Sequence, residues 1–318
     1  MRAFAILFAR ALGDFAIQAF TAASVARSTQ HELRLCYRND RPDYKPDLIE
    51  YLDGCEMAFD IGPSQEIPID LFDGVQAGRT WQPPPHIRSE QIEFSDLVMT
   101  PWMLRPHIHA NLSHLSSLTH PDPKTFGDWH VVLHWREGTY ANRPPNQLRD
   151  QDAAKFQVVA DHLRGLGATV VQIGHPDLTR LSGAVDLRSA SFANQCAAIA
   201  GARFYIGGPT GPVSIASMFG TPTLYVDGVD WWGVYHAQDA ILPILVSRDD
   251  EPVPLTEFGK GAAELIQQPG VTFKHRTAEE IINSLPTFIE GIGAEDPPLP
   301  LIWPFGPPSI ERARARVL

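Results

Sequence analysis

At 318 residues, with 44% hydrophobic and 20% charged residues, the chain has the make-up of a globular protein long enough for two domains. Its formal net charge of −11 excludes a general nucleic-acid-binding role, because that electrostatic footprint is basic. An anionic ligand therefore has to be held by a local pocket of arginine and amide donors. The cysteines, Cys36, Cys55 and Cys196, are too few and too widely spaced for a disulfide framework or a zinc knuckle, and they fit a reducing compartment.

The opening MRAFAILFARALGDFAIQAF carries an early arginine and an apolar run. Arg10 and Asp14 interrupt that run, so a folded strand and helix are expected rather than a signal peptide. No uncharged stretch reaches the length of a transmembrane helix. Ala3–Ala9 reads as a strand, 12–14 as a turn, and Phe15, Ile17, Ala19, Phe20, Ala23 and Val25 fall at helical spacing over 15–28. Strands at 32–37 and 56–61, with a short helix at 46–52 between them, complete a β-α-β-α-β pattern, the start of a doubly wound parallel sheet. Prolines 63, 68 and 83–85 break up residues 62–105 into irregular loops and short helices, and a helix fragment is expected within 97–108. His107, His109, His114 and His120 lack metal-ligand spacing and a carboxylate motif, which makes them surface or hydrogen-bonding residues.

After a linker-like PDPKTFGD, a second α/β unit begins. It has a strand at 130–134, a polar loop, an amphipathic helix over 150–166, strands at 169–173 and 184–187, a helix at 192–200 and a strand at 204–206. That last strand runs into GGPTGPVSIASMFG, with Pro212 at a first helical turn, Gly220 as C-cap and a return strand at 223–226. A glycine turn opening a helix makes an anion-binding site, to which Gly208, Thr210, Gly211 and Ser214 bring amides and hydroxyls. The loop matches neither G-x-G-x-x-G nor the P-loop, and the same pattern also fits a tight βα turn of any parallel sheet. Trp231 and Trp232 are either a core plug or a stacking surface. A strand at 244–246, a helix region at 256–267, a helix opened by a Thr277/Glu280 capping box, a proline-rich stretch at 297–308 and a basic helix at 309–316 finish the chain.

Two such units, joined near residue 123, place a ligand between them at the carboxyl ends of their strands. In the second unit the strand ends carry His134, Arg136 and Thr139, then Gly174, then Gly207–Gly211. Arg136 can hold a diphosphate bidentately, or sit in a surface ion pair. In the first unit Asp14 follows the first strand, where it can act as a general base or cap its helix.

The segment FYIGGPTGPVSIASMFGTPTLYVDG resembles the donor-site strand, loop and helix of bacterial lipopolysaccharide heptosyltransferases, and FAILFARALGDFAIQAF resembles their opening strand and G-D turn. VVLHWREGTY resembles the H-x-R phosphate-binding segment of fucosyltransferase-like enzymes. Both groups are GT-B glycosyltransferases, and the likeness covers about residues 1–60 and 128–290. It implies an α/β fold of two Rossmann-like doubly wound domains facing a cleft. These are an acceptor-side domain over 1–122, a nucleotide-sugar domain over 123–290, and a tail over 291–318 packing back on the first. It further implies an inverting, metal-independent transferase without a cofactor, moving a sugar from a nucleotide-sugar to a glycan or lipid-linked glycan. In that frame Arg136 binds the diphosphate with His134 in support. Thr139, Gly174, Gly208, Thr210, Gly211 and Ser214 complete the donor site, and Asp14 is the base. The likeness places the protein in a bacterial cytoplasm, with peripheral contact at the inner membrane through the basic ERARAR tail. The loop departs from the heptosyltransferase pattern, with Pro209-Thr210-Gly211-Pro212 in place of its aspartate, hydroxyl residue and histidine, so the transferred sugar stays open. A sugar-nucleotide epimerase of the same fold and a non-catalytic binding protein that kept the fold also remain open.

Overall fold

The computed structural model describes residues 2–7, 9, 11–37, 44–60, 97–99, 104, 121–138, 145–229, 234, 236–254, 267–294 and 316–318. The contacts divide the chain into two units, Met1–Thr119 with Pro300–Pro307 and His120–Leu299 with Pro308–Leu318.

The first unit is built on β1 (Arg2–Leu7), α1 (Leu12–Ser28), β2 (Glu32–Tyr37), α2 (Lys45–Ile49), β3 (Cys55–Asp60) and β4 (Leu97–Met99). Its sheet has the order β3-β2-β1-β4, with every pairing parallel. The hydrophobic run at the start of the chain is therefore a central strand, buried from Ala3 to Leu7. Helix α1 begins at Leu12, so the expected turn at 12–14 is its first turn. The expected helix fragment at 97–108 starts instead as a strand, since Leu97–Met99 pairs with β1. A three-residue apolar run carries no period that separates the two readings.

The second unit holds β5 (His130–His134), α3 (Ala153–Gly165), β6 (Thr169–Gln172), β7 (Val185–Asp186), α4 (Phe192–Ala200), β8 (Phe204–Gly207), α5 (Gly211–Met218), β9 (Thr223–Gly228) and β10 (Ala240–Pro243). After these come β11 (Leu245–Arg248), β12 (Glu251–Val253), β13 (Val271–Lys274), α6 (Ala278–Glu290) and β14 (Arg316–Val317). The main sheet runs β7-β6-β5-β8-β9-β10-β14, all parallel. Counted within the unit, its first six strands have the order 3-2-1-4-5-6 of a dinucleotide-binding fold, whose direction reverses between β5 and β8. One face packs on α3 and α6 through Phe156, Val159, Leu163, Ile281, Leu285 and Phe288. Trp135 stacks on Phe156 with ring centroids 4.8 Å apart. Asp152 caps α3, Ser191 caps α4, and the expected capping box of Thr277 and Glu280 opens α6.

The strand expected at 244–246 is β11, and it is the centre of a small antiparallel sheet, β12-β11-β13, whose outer strands the sequence pattern missed. Its hairpin turns on Asp249 and Asp250, at φ 51° and 67°, which is the two-residue connection that matches strand twist. The end of the chain differs from expectation too. Arg316–Val317 pairs with β10, so these residues belong to the second unit rather than packing on the first. Arg316 donates to the carbonyls of Thr287 and Phe288, at 2.9 and 3.0 Å, near the carboxyl end of α6 where a cation is favoured. Outside the described residues lie Thr139, the four histidines at 107–120, Trp231 and Trp232, the expected helix at 256–267 and the proline-rich stretch at 297–308. No helix among the described residues is long and apolar enough to cross a membrane.

Candidate donor site at the strand ends of the second unit

In an open parallel sheet, ligands bind beyond the carboxyl ends of the strands where the strand order reverses. In the second unit that point lies between His134, the last residue of β5, and Gly207, the last of β8. The two strand ends are joined there. The His134 Nδ1 and Thr210 Oγ1 atoms are 2.8 Å apart, and Gly208 N donates to the His134 carbonyl at 3.1 Å. Burial holds His134 well below the usual imidazole range, to about 3, so the ring is neutral and acts through hydrogen bonding rather than charge.

Thr210 occupies the N-cap position of α5 in an extended conformation, yet its side chain makes no capping bond to the helix. The hydroxyl is engaged with His134 and with the Gly208 carbonyl, at 3.3 Å. In the first turn of α5 Pro212 has no N–H and Val213 N donates to the Thr210 carbonyl at 3.3 Å, so Gly211 N is the amide this turn can turn toward another acceptor. Ser214 is buried in that turn. Gly174 serves the site indirectly. At φ +117°, with the ring of His134 2.7 Å from where its Cβ would be, it lets β6 run past the imidazole.

A loop at residues 145–151 crosses these strand ends. Gln151 N donates to the Arg136 carbonyl at 2.8 Å, and Arg149 Nε donates to the Pro209 carbonyl at 2.8 Å. Arg136 is buried and its Nε lies 2.6 Å from Asp150 Oδ1, an ion pair that ties the guanidinium to this loop. Glu137, next to it, accepts from Trp135 Nε1 and from the amide and hydroxyl of Thr179, at 2.9, 2.9 and 3.0 Å, and so fixes the turn after β5.

The far end of the loop is anchored at β9. Asp227 is fully buried at φ 52°, and its carboxylate meets Lys155 Nζ at 2.7 Å, His275 Nδ1 at 3.2 Å and Arg276 N at 2.7 Å. Burial alone would raise its pKa, but the His275 hydrogen bond and the Lys155 charge outweigh it and hold the carboxyl below its ordinary value. His275 Nε2 reaches the Gln147 carbonyl at 2.8 Å, so both ring nitrogens face acceptors. The Asp227 contact, against the cost of burial, holds this imidazole above its ordinary value. The Arg149, Gln151 and Asp227 contacts escaped the sequence reading. Residues of an aperiodic loop carry no signal of what they touch, and Asp227-Gly228 reads as a plain turn.

In the first unit the sheet order reverses at β1, and Asp14 sits on the exposed face of the first turn of α1, whose N-cap is Ala11. It is thus not the cap, but a carboxylate favoured by the helix dipole. Lys45, fully buried, donates to the Ala9 carbonyl at 2.8 Å and fixes the turn between β1 and α1. A cavity of about 310 Å³ lined by Ala23, Arg27, Gln30, His31 and Asp53 lies at the opposite, amino ends of these strands. Among the described residues no cluster of His, Cys, Asp or Glu is placed to hold a metal ion.

No protein-family model matches the chain, and no curated protein matches it in sequence. Solved structures do match it in fold. A glycosyl transferase family 9 protein from Veillonella parvula aligns with 91% of this chain and 97% of its own, at a TM-score of 0.55 and 14% identity. The E. coli ADP-heptose lipopolysaccharide heptosyltransferase II aligns over 91% and 99% at a TM-score of 0.49 and 12% identity. The E. coli heptosyltransferase WaaC, solved with ADP, aligns over 84% and 99% at 0.49 and 9%. At such identities what is established, on the first of these, is the fold: the α/β architecture of two Rossmann-like units expected from the sequence is that of glycosyltransferase family 9.

Proposed function

We propose that the chain is a glycosyltransferase that moves a sugar from a nucleotide-sugar to a glycan acceptor, with inversion and without a metal. The observation that carries this reading is the second unit's reversal point. There the glycine loop and the Gly211 amide that opens α5 stand beside the bond between His134 and Thr210. Helix amides and fixed cations stabilise a leaving diphosphate as its charge develops. Arg149, on the Pro209 carbonyl, supplies a cation at this loop. Arg136, tied to Asp150, holds the crossing loop in place and adds its charge to the site. Gly208, Thr210, Gly211 and Ser214 bind phosphate, Gly174 keeps His134 in position, and Thr139 follows the same strand end. Asp14 takes the proton of the acceptor hydroxyl as its oxygen attacks the anomeric carbon. The bond from that carbon to the phosphate oxygen breaks, and the nucleoside diphosphate leaves with the electron pair.

The test is a thermal-shift panel of ADP, GDP, UDP, TDP and CMP on wild type, Arg149→Ala and Thr210→Ala. A ligand bound only by the native state raises the melting temperature by mass action. One nucleotide that stabilises wild type and not the variants supports the site. No shift with any of them overturns it. Asp14→Asn should keep donor binding and lose turnover, and the reverse pattern removes Asp14 from the role of base.

A further inference from the structure

Gln151 is 6% exposed, and neither atom of its carboxamide has a hydrogen-bond partner among the described residues. Its backbone is fixed to the turn after β5 by the bond from its amide to the Arg136 carbonyl at 2.8 Å. Its side chain crosses to β8 and lies flat on Gly208, where a Cβ would come within 2.5 Å of Nε2 and 2.9 Å of Oε1. The carboxamide therefore spans the reversal point of the sheet, next to the loop that opens α5. Two N–H donors and a carbonyl with two lone pairs stand unused there. A buried amide without partners is unfavourable, and an apolar side chain of the same length would fill the place without that cost. Moving this carboxamide onto a ligand breaks no hydrogen bond.

We propose that Gln151 is a donor-binding residue that recognises the phosphate and the sugar of the nucleotide-sugar together. Its Nε2 donates to a phosphate oxygen and its Oε1 accepts from a sugar hydroxyl. The chemistry of the surroundings selects this class of ligand. The first turn of α5 and the Arg149 guanidinium favour an anion, and only a group with an acceptor and a donor side by side uses both ends of a carboxamide. The proposal rests on the reading given under Proposed function.

Titration calorimetry on the full chain tests it, with ADP, GDP and UDP and their sugar esters ADP-glucose, GDP-mannose and UDP-glucose as probes. Wild type and Arg149→Ala decide the parent reading; Gln151→Leu and Gln151→Glu decide this one. Gln151→Leu should melt at or above the wild-type temperature and bind the nucleotide-sugar about ten-fold or more weakly, the loss expected for a bond to a charged group. Gln151→Glu should bind more weakly still, because it sets a carboxylate against the phosphate. The loss should be greater for the sugar ester than for the free diphosphate; equal losses would overturn the sugar contact and keep the phosphate contact. If wild type binds, Arg149→Ala weakens binding and Gln151→Leu does not, the carboxamide is a packing group and the proposal falls alone. If wild type binds none of the probes, both fall.

Discussion

The Asp227 carboxylate and the His275 imidazole, 3.2 Å apart, tie β9 to the loop that crosses the candidate site, since the other ring nitrogen of His275 bonds to the Gln147 carbonyl. The neutral ring can donate only one of these bonds, and the protonated ring donates both at once. The folded pKa is raised above the unfolded value, so this contribution to stability is fully present below about pH 6.5 and is lost as pH rises through the folded pKa. Melting temperatures measured from pH 6 to pH 9 should fall, and His275→Gln should flatten the fall. An unchanged profile in the variant would remove His275 from this role.

Asp227 is the buried counter-charge of Lys155, whose side chain is 8% exposed. Asp227→Asn leaves Lys155 and His275 without their carboxylate. It should cost about 3–5 kcal/mol, the penalty of breaking a buried pair by removing one partner. Chemical denaturation with the slope held constant measures this. Asp227→Asn together with Lys155→Met should recover part of the loss, because no uncompensated charge remains.

Gly174 cannot carry a side chain without displacing His134. At φ +117° an alanine is strained, and its Cβ would come 2.7 Å from both the His134 ring and Leu178. Gly174→Ala should destabilise the chain by about 1–3 kcal/mol. Nucleotide affinity should fall as well, through the displaced bond from His134 to Thr210. A stability loss with nucleotide affinity intact would show that this bond is not needed for binding.

The two arginines of the site should separate in their effects. Arg136→Ala leaves Asp150, whose side chain is 13% exposed, without its cation and should lower stability by about 3 kcal/mol, with binding lost as the loop loosens. Arg149→Ala removes one bond to a carbonyl and a half-exposed charge. It should change stability by less than about 1 kcal/mol while weakening nucleotide binding. Denaturation curves and calorimetry on the same samples read the two effects apart.

Much of this arrangement was legible in the sequence. Local patterns carried it: the helical spacing from Phe15 to Val25, the capping box at Thr277, and the strand and glycine turn from Phe204 to Gly211 are written in neighbouring residues. Leu97–Met99 was misread because a short apolar run lacks a period. The hairpin at Asp249-Asp250 was missed although two turn-prone residues between short strands are its signal. The crossing loop was illegible for a different reason. The partners of Asp150, Gln151 and Gln147 come from β5, β8 and beyond β13, and no local rule connects them.

That loop also sets an order of events at the ribosome. Gln147 and His275, which close it over the strand ends, stand 128 positions apart. Translation adds about 5–20 residues per second, so the glycine turn and α5 emerge seconds before the residue that fastens the loop across them. A contact of such sequence separation is also slow to form once both partners exist. A nascent chain therefore carries the parts of the candidate site well before the loop across them is fastened.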